Sequence, residues 1–262
     1  LGYKFIYCHD IVGLPPSAPR VAGFCKAASA AAELRFARAG MGGYRDMQLY
    51  GTLYDGLSLK RVTGVEIETF ELLEVEQRYR EIADTQKREV IESRIKKWRF
   101  LSPAKEESLM RAAGYYLAVR SIALERNYSA ISLKDVDGFK KLLGFPPAPV
   151  FMLLAEDGYC TIPENDSLGC VTQIMMKALT GQPAAYLEFY EFFADRVLAG
   201  VPDFVPPGVV DGEITVMPAT FGELAEGILN VSKVKPGRLT MSRRVCSHGK
   251  YRMQVLSGEG VA

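Results

Sequence analysis

Three carboxylates have a spacing along the chain that could bring them to one site. Glu164 and Asp166 directly follow a predicted strand, and Glu188 lies on another predicted strand 24 residues after Glu164. Between them a predicted helix, ending near Leu179, carries the chain about 20 Å away, and the extended residues from Gln182 return it by about the same distance. We therefore expect Glu164 and Glu188 to meet at the carboxyl end of the strand that precedes Glu164, at the edge where open α/β sheets bind ligands.

Two carboxylates at such an edge have two chemical uses. Their hard oxygen atoms can bind a divalent metal ion. Alternatively, one acts as an acid and the other as a base, if their surroundings move their pKa values apart. A structural interpretation is favoured on spacing alone: Glu164 and Asp166 are acids stabilised by the dipole at the start of the next helix, and Glu188 is a solvent-facing strand residue.

Three other side chains are candidates for contact with a substrate at this edge. Arg45 lies in the loop after a glycine-rich strand end, and Lys134 directly follows the predicted strand at residues 130–133. Tyr190 lies two residues after Glu188, and alternate residues of a strand share a face. We predict substrate contacts for these three residues; the alternatives are a surface arginine, an ordinary loop lysine and a packed tyrosine.

The glycine run from Gly40 to Gly43 imitates the start of a dinucleotide-binding loop. The motif G-x-G-x-x-G would place its third glycine at position 45, which is Arg45. A partial match of this kind is weak evidence, so a bound dinucleotide is not predicted.

The pattern along the chain predicts an α/β protein with a parallel sheet and helices on both faces. Apolar or alternating runs separated by helical periodicity are typical of parallel strands joined by helices. The predicted strands span residues 34–39, 65–70, 130–133 and 150–154, and the predicted helices span residues 49–63, 74–99, 102–127 and 167–179. From about residue 186, short strand-like runs separated by proline and glycine predict a β-rich, barrel-like domain. We therefore predict a Rossmann-like domain over residues 1–181 and a β-rich domain over residues 182–262.

Composition argues against several classes of protein. The 262 residues carry 32 lysines and arginines against 31 aspartates and glutamates, so the net charge of +1 offers no overall attraction for nucleic acid. No apolar stretch approaches the roughly 20 residues of a membrane-spanning helix, and we expect no signal peptide. Five cysteines without a C-x-x-C pair predict reduced thiols in a cytoplasmic protein. Only two histidines, His9 and His248, argue against a zinc-type site.

The segment ENDSL beginning at Glu164, followed 24 residues later by the acid at Glu188, forms a recognisable pattern. It resembles the L-fucose/L-arabinose isomerase family of aldose–ketose isomerases, in which an E-x-D-S-L segment and a later acid supply metal ligands. The second acid is aspartate in the fucose enzymes and glutamate in the arabinose enzymes. The segments LRFARAGMGGYRDMQLYG and GKYRMQVLSGEG show weaker similarity to the same family, in the same order along the chain.

The resemblance implies a metal-dependent isomerase that converts an open-chain pentose or 6-deoxyhexose through an enediol. Glu164 and Glu188 would hold Mn²⁺ or another divalent cation and would shuttle the proton between C1 and C2. The resemblance also implies a cytoplasmic homo-oligomer whose partner is a small monosaccharide, not a nucleic acid or a membrane.

Two departures from the family pattern leave an alternative open. Family members are longer, with an additional N-terminal domain and a C-terminal segment that contains a metal-binding histidine. This chain ends at Ala262, before that histidine is expected, and His248 lies in a predicted turn. We therefore expect a fragment that lacks the N-terminal domain and the C-terminal end. The alternative function is that of a non-catalytic sugar- or effector-binding protein on the same scaffold.

Overall fold

The computed structural model describes residues 3–200, 204–221 and 225–261. Helices separate the first strands of the chain, and strands dominate its last part. The helices are α1 (Ala18–Leu34), α2 (Gly56–Thr63), α3 (Leu72–Glu81), α4 (Asp84–Ser93), α5 (Glu106–Glu125), α6 (Ala148–Glu156) and α7 (Ser167–Thr180). The strands are β1 (Arg38–Gly42), β2 (Glu66–Phe70), β3 (Arg99–Phe100), β4 (Ala130–Leu133), β5 (Cys160–Ile162), β6 (Glu188–Phe192), β7 (Val197–Gly200), β8 (Thr215–Phe221), β9 (Ala225–Asn230), β10 (Gly237–Ser247) and β11 (Lys250–Gly260). Within the described ranges, no helix combines the length and the apolar character needed to cross a bilayer.

Four strands form one parallel sheet in the order β2-β1-β4-β5. Each neighbouring pair runs parallel, so the carboxyl ends of all four strands lie at one edge. The chain moves outward from β1 to β2 and later returns to β4 on the other side of β1. The topological switch point, where ligands bind in open α/β sheets, therefore lies between β1 and β4. This sheet confirms the predicted α/β class.

Two apolar clusters cover the two faces of the parallel sheet. Ile131 of β4 lies in one cluster with Val119 of α5 and other residues of α5 and α6. The preceding residue, Ala130, lies in the second cluster with Leu34 of α1 and Val171 of α7. Since successive side chains of a strand point to opposite faces, helices flank the sheet on both sides, as predicted.

The remaining strands form small separate sheets. β8 and β9 are antiparallel and join β3, β6 pairs with β7, and β10 pairs with β11. The buried side chains of Val216 on β8 and Ile228 on β9 belong to the apolar cluster of α5 and α6. Packing therefore crosses residue 181, and the division into domains over residues 1–181 and 182–262 stays a prediction.

The strand predicted at residues 150–154 is wrong, because this segment belongs to helix α6. An unbroken apolar run has no period, so its composition does not distinguish a buried strand from a buried helix. Pro149 occupies the second helical position, where its missing N–H costs no helical hydrogen bond. The side chains of Phe151 and Leu153 are both fully buried, which explains why no polar face marks this helix.

The long charged helix predicted over residues 74–99 is interrupted. Ile82 and Ala83 have extended backbone between α3 and α4, and the chain ends this region in the short strand β3. Ile82 packs against the apolar cluster, and α3 and α4 both pack on α5. The strand predicted at residues 34–39 is displaced, because Leu34 ends α1 and β1 begins at Arg38.

Gly40 of β1 leaves room for the ring of Tyr128. A Cβ atom at Gly40 would overlap the Tyr128 ring and lie 3.1 Å from the Phe70 ring, and both rings are buried. We predict that Gly40→Ala lowers the free energy of unfolding by about 1–3 kcal/mol, because an overpacked core must shift. Urea denaturation measures this change.

The matched control is Gly258→Ala on strand β11, where the added methyl group meets no atom within 4 Å. We expect this substitution to change the free energy of unfolding by less than about 0.5 kcal/mol. Equal effects of the two substitutions would contradict the steric explanation.

Candidate functional site

Side chains tie together the loops that follow β1, β4 and β5 at the carboxyl edge of the parallel sheet. Asn165, after β5, donates hydrogen bonds from its amide nitrogen to the carbonyl oxygens of Gly42 (3.0 Å) and Tyr44 (2.6 Å). The hydroxyl of Ser132 on β4 donates to the carbonyl oxygen of Ile162 on β5 (2.7 Å). These bonds satisfy backbone groups that lie near the ends of the strands and must find partners when buried.

Asp46 holds the loop after β1 against the segment after β4. Its buried carboxylate accepts hydrogen bonds from the backbone N–H groups of Val136 and Asp137, both at 2.8 Å, and of Met47 at 3.0 Å. Such donors compensate the carboxylate for the loss of water. The two loops that border the switch point are therefore joined through one side chain.

Asp135 and Lys140 form a completely buried ion pair in a π-helical turn (Asp135–Lys140). The Lys140 Nζ atom lies 3.1 Å from Oδ2 of Asp135, and the side chains are 1% and 0% exposed. Oδ1 of Asp135 accepts a hydrogen bond from the backbone N–H of Glu164 at 2.9 Å. π-helical turns are rare and are frequently found at functional sites.

Glu164 and Asn165 form a left-handed turn between β5 and α7. Their φ angles are 62° and 52°, a conformation that costs energy for residues with a Cβ atom and that asparagine tolerates better than glutamate. Glu164 is half-buried, whereas Asn165 is buried. The turn therefore places the first predicted carboxylate at the sheet edge in a strained backbone conformation.

Asp166 has structural partners on two sides. It is the N-cap of α7 and accepts a hydrogen bond from the backbone N–H of Gly169 at 2.9 Å. Arg243 of β10 forms an ion pair with the same carboxylate, whose side chain is 3% exposed. A Cβ atom at Gly169 would lie 2.6 Å from Oδ2 of Asp166, so glycine at this position leaves room for the pair.

Tyr186 is a half-buried tyrosine whose pKa is affected by the predicted carboxylates. Its pKa is raised above the ordinary value first by burial and then by the charges of Asp166, Glu164 and Glu188, while Arg243 lowers it. A charge shifts the pKa of a neighbouring group at short range. The hydroxyl group of Tyr186 therefore stays protonated at neutral pH.

The strand that carries Glu188 is not part of the parallel sheet. Glu188 begins β6 and pairs with Gly200 of β7 in a separate hairpin. The register shifts between Phe189 and Glu191, so Tyr190 lies at a bulge, and its ring packs beside Gly200. Because a bulge interrupts the alternation of a strand, the shared face expected for Glu188 and Tyr190 does not follow from spacing.

Arg45 and Lys134 both lie at the predicted edge of the sheet. The guanidinium of Arg45 is 5.0 Å from the ring centroid of Tyr50. The half-buried Lys134 follows β4, and its backbone N–H donates to the carbonyl oxygen of Gly42 at 2.8 Å. Contact of either side chain with a substrate stays a prediction.

Sequence reasoning missed four charged or polar residues of this site: Asp135, Lys140, Tyr186 and Arg243. Asp135 had a usable signal, since it follows the strand Ala130–Leu133 by two residues, as Glu164 follows β5. Arg243 and Tyr186 had none, because Asp166 and Glu164 are distant from them in sequence. Long-range packing alone brings them to Asp166 and Glu164.

The donor set suits a hard divalent cation only through the two glutamates. Among the residues that the structure describes, no group of three or more His, Cys, Asp or Glu side chains is arranged to hold a metal ion. Burial raises the pKa of Cys160 to about 11, so its thiol stays protonated and is a poor ligand. His248 lies in the exposed turn between β10 and β11, as predicted. The carboxylate oxygens of Glu164 and Glu188 are of the type that Mg²⁺ and Mn²⁺ prefer, and a metal site at these two residues stays a prediction.

Comparison with known proteins adds no family to this geometry. No protein-family model matches the chain, and no curated protein matches it significantly. The resemblance to the L-fucose/L-arabinose isomerases therefore stays an expectation that rests on the residues of the ENDSL segment and Glu188.

Asp166 both caps α7 and pairs with Arg243, and substitutions can separate the two effects. We predict that Asp166→Ala lowers the free energy of unfolding by about 2 kcal/mol, through loss of the cap and of the ion pair. Asp166→Asn keeps a capping oxygen, so we expect it to recover about 1 kcal/mol of this loss. Urea denaturation of both variants measures the difference.

The N-cap of α2 provides the control for this pair of variants. Asp55 accepts from the backbone N–H of Ser58 at 3.1 Å and caps α2, so Asp55→Ala and Asp55→Asn report capping alone. Equal stability of Asp166→Ala and Asp166→Asn would exclude a capping role for Asp166.

The raised pKa of Tyr186 predicts a loss of stability in alkali. The unfolded chain releases the hydroxyl proton near the ordinary value of 10.0, whereas the folded chain retains it to higher pH. The contribution of Tyr186 is therefore complete below this value and falls as the pH rises above it. We predict that Tyr186→Phe reduces the loss of unfolding free energy between about pH 9 and about pH 11 by about 1 kcal/mol.

Urea denaturation across this pH range tests the prediction, with Tyr3→Phe as the control at an exposed tyrosine. If Tyr186→Phe and Tyr3→Phe lose the same unfolding free energy over this pH range, Tyr186 is not the responsible group.

Proposed function

We propose that this protein is a metal-dependent aldose–ketose isomerase that acts on an open-chain pentose or 6-deoxyhexose through an enediol. The observation that carries the proposal is that Glu164 lies in the turn after β5, at the carboxyl edge of a parallel sheet with a switch point. Glu188 lies at the start of β6, on the hairpin of β6 and β7. The pKa of Tyr186, raised first by burial, is raised further by the charges of both glutamates.

The acids suit the chemistry of an isomerase. Glu164 and Glu188 would hold Mn²⁺ or another divalent cation, which supplies Lewis-acid polarisation of the carbonyl and hydroxyl oxygens of the sugar when it is bound. One glutamate would remove the proton from C2 of the aldose, which leaves an enediolate, and would return a proton to C1, while the proton of the O2 hydroxyl moves to O1 to give the ketose. The protonated hydroxyl of Tyr186 would supply a hydrogen-bond donor to the substrate.

Three further side chains suit a polyhydroxylated substrate. Lys134 and Arg45 supply N–H donors from the loops after β4 and β1, and Tyr190 supplies a ring and a hydroxyl from β6. We assign these three residues to substrate binding. A small monosaccharide is the partner in this proposal, and nucleic acid and membranes are not.

The proposal extends to the architecture and the assembly. It includes a Rossmann-like domain over residues 1–181, a barrel-like β domain over residues 182–262, a cytoplasmic location and a homo-oligomer. A non-catalytic sugar- or effector-binding protein is the second candidate. It is favoured by the finding that, across the described residues, no three-residue His/Cys/Asp/Glu group could hold a metal.

Direct measurement of Mn²⁺ binding separates the two candidates. We predict that the protein binds Mn²⁺ stoichiometrically and that Glu164→Gln and Glu188→Gln each weaken binding by at least about 100-fold, since even supporting residues change metal affinity by about 10–100-fold. Glu191→Gln, on an exposed residue of the same strand β6, is the matched control and should bind Mn²⁺ normally. The free-Mn²⁺ signal in electron paramagnetic resonance provides the dissociation constants.

Turnover in D₂O tests the reaction itself. An enediol route incorporates solvent deuterium into the ketose when an aldopentose or a 6-deoxyaldohexose is supplied with Mn²⁺. Product without deuterium would exclude the proton-transfer route. A protein that binds no divalent cation and converts neither class of sugar would overturn the proposed function.

A further inference from the structure

The turn at Glu164 is held from both of its ends. Its backbone N–H donates to Oδ1 of Asp135, and the side chain of the next residue, Asn165, donates to the carbonyl oxygens of Gly42 and Tyr44. The three contacts come from the segments after β4 and β1, which border the switch point. Glu164 therefore has a defined backbone position relative to two neighbouring strands.

This support matters because the backbone of Glu164 is strained. A φ angle of 62° is unfavourable for glutamate, and the adjacent residue has a similar angle. Strained residues persist only when the surrounding structure overdetermines their conformation. The hydrogen bond to Asp135 is one of the contacts that overdetermine it.

The buried ion pair determines which way the Asp135 carboxylate faces. Lys140 binds Oδ2 at 3.1 Å, which leaves Oδ1 directed at the N–H of Glu164 at 2.9 Å. With side-chain exposures of 0% and 1%, neither partner is solvated. A buried pair of this kind adds little net stability compared with apolar side chains of similar size. We therefore assign it the role of orienting the Asp135 carboxylate.

We infer that the Asp135–Lys140 ion pair is a positioning device that sets the backbone conformation of Glu164 for metal binding. Asp135 and Lys140 act through Glu164 and are positioning residues, not ligands. The inference rests on the proposed function for the metal, but the position of Glu164 can also be measured without any metal. Supporting residues that orient a ligand typically change metal affinity by about 10–100-fold when they are replaced.

Two double variants isolate the hydrogen bond from the buried charges. Asp135→Asn/Lys140→Met keeps an oxygen acceptor at position 135, whereas Asp135→Leu/Lys140→Met removes it, and both replace the ion pair with neutral side chains of similar size. We expect the second variant, which has no acceptor for the Glu164 N–H, to bind Mn²⁺ about 10–100-fold more weakly than the first variant, which keeps one. Electron paramagnetic resonance measures the affinities, and thermal unfolding checks that both variants are folded.

The outcomes distinguish this inference from the proposed function. Equal Mn²⁺ affinity of the two double variants overturns the positioning role while leaving the metal site intact. Absence of Mn²⁺ binding by the unsubstituted protein overturns the proposed function instead.

Hydrogen exchange of the Glu164 amide, in the unsubstituted protein without metal, is the second measurement, and it is independent of the folding of any variant. We expect this amide to exchange at least about 100-fold more slowly than an unprotected peptide amide, because it donates to the fully buried carboxylate of Asp135. Exchange at the unprotected rate would overturn the inference.

Discussion

The carboxylate of Asp135 is entirely removed from water. The groups that compensate its buried charge hold together the edge of the parallel sheet. An ionised carboxylate in the interior is costly unless it is both paired and hydrogen-bonded. Lys140 provides the opposite charge and the backbone N–H of Glu164 provides the hydrogen bond. These two contacts hold the loop after β5 against the segment after β4. The position of Glu164 thus depends on a charge in the π-helical turn that follows the neighbouring strand β4.

Two other buried aspartates at this edge obey the same constraint with different partners. Asp46 is compensated by three backbone N–H groups, which join the loop after β1 to the segment after β4. Asp166 is compensated by the first turn of α7 and by Arg243 from β10. The aspartates therefore hold the loops together, whereas Glu164 and Glu188 are the acids to which we assign the chemistry.

The sequence predicts those elements whose signals are local. The strand at residues 130–133 and the helix α7 are found where predicted, because an apolar run, the Asp166 cap and the left-handed Gly181 after the helix all act within a few residues. Helix α6 is missed because burial on every side removes its polar stripe. The break after α3 is missed because packing against α5, not a glycine or proline, directs the chain there.

For the site, the amino-acid sequence by itself determined the acids, their spacing and the cap at Asp166, since these depend on neighbouring residues. It predicted that the chain returns to Glu188 but not that the return uses a separate hairpin with a bulge at Tyr190. Only the tertiary structure decided that Asp135 supports Glu164, and that Arg243 of β10 pairs with Asp166. The physical reason is that a buried charge is satisfied by whichever donor the packed fold brings to it, and that donor belongs to another segment of the chain.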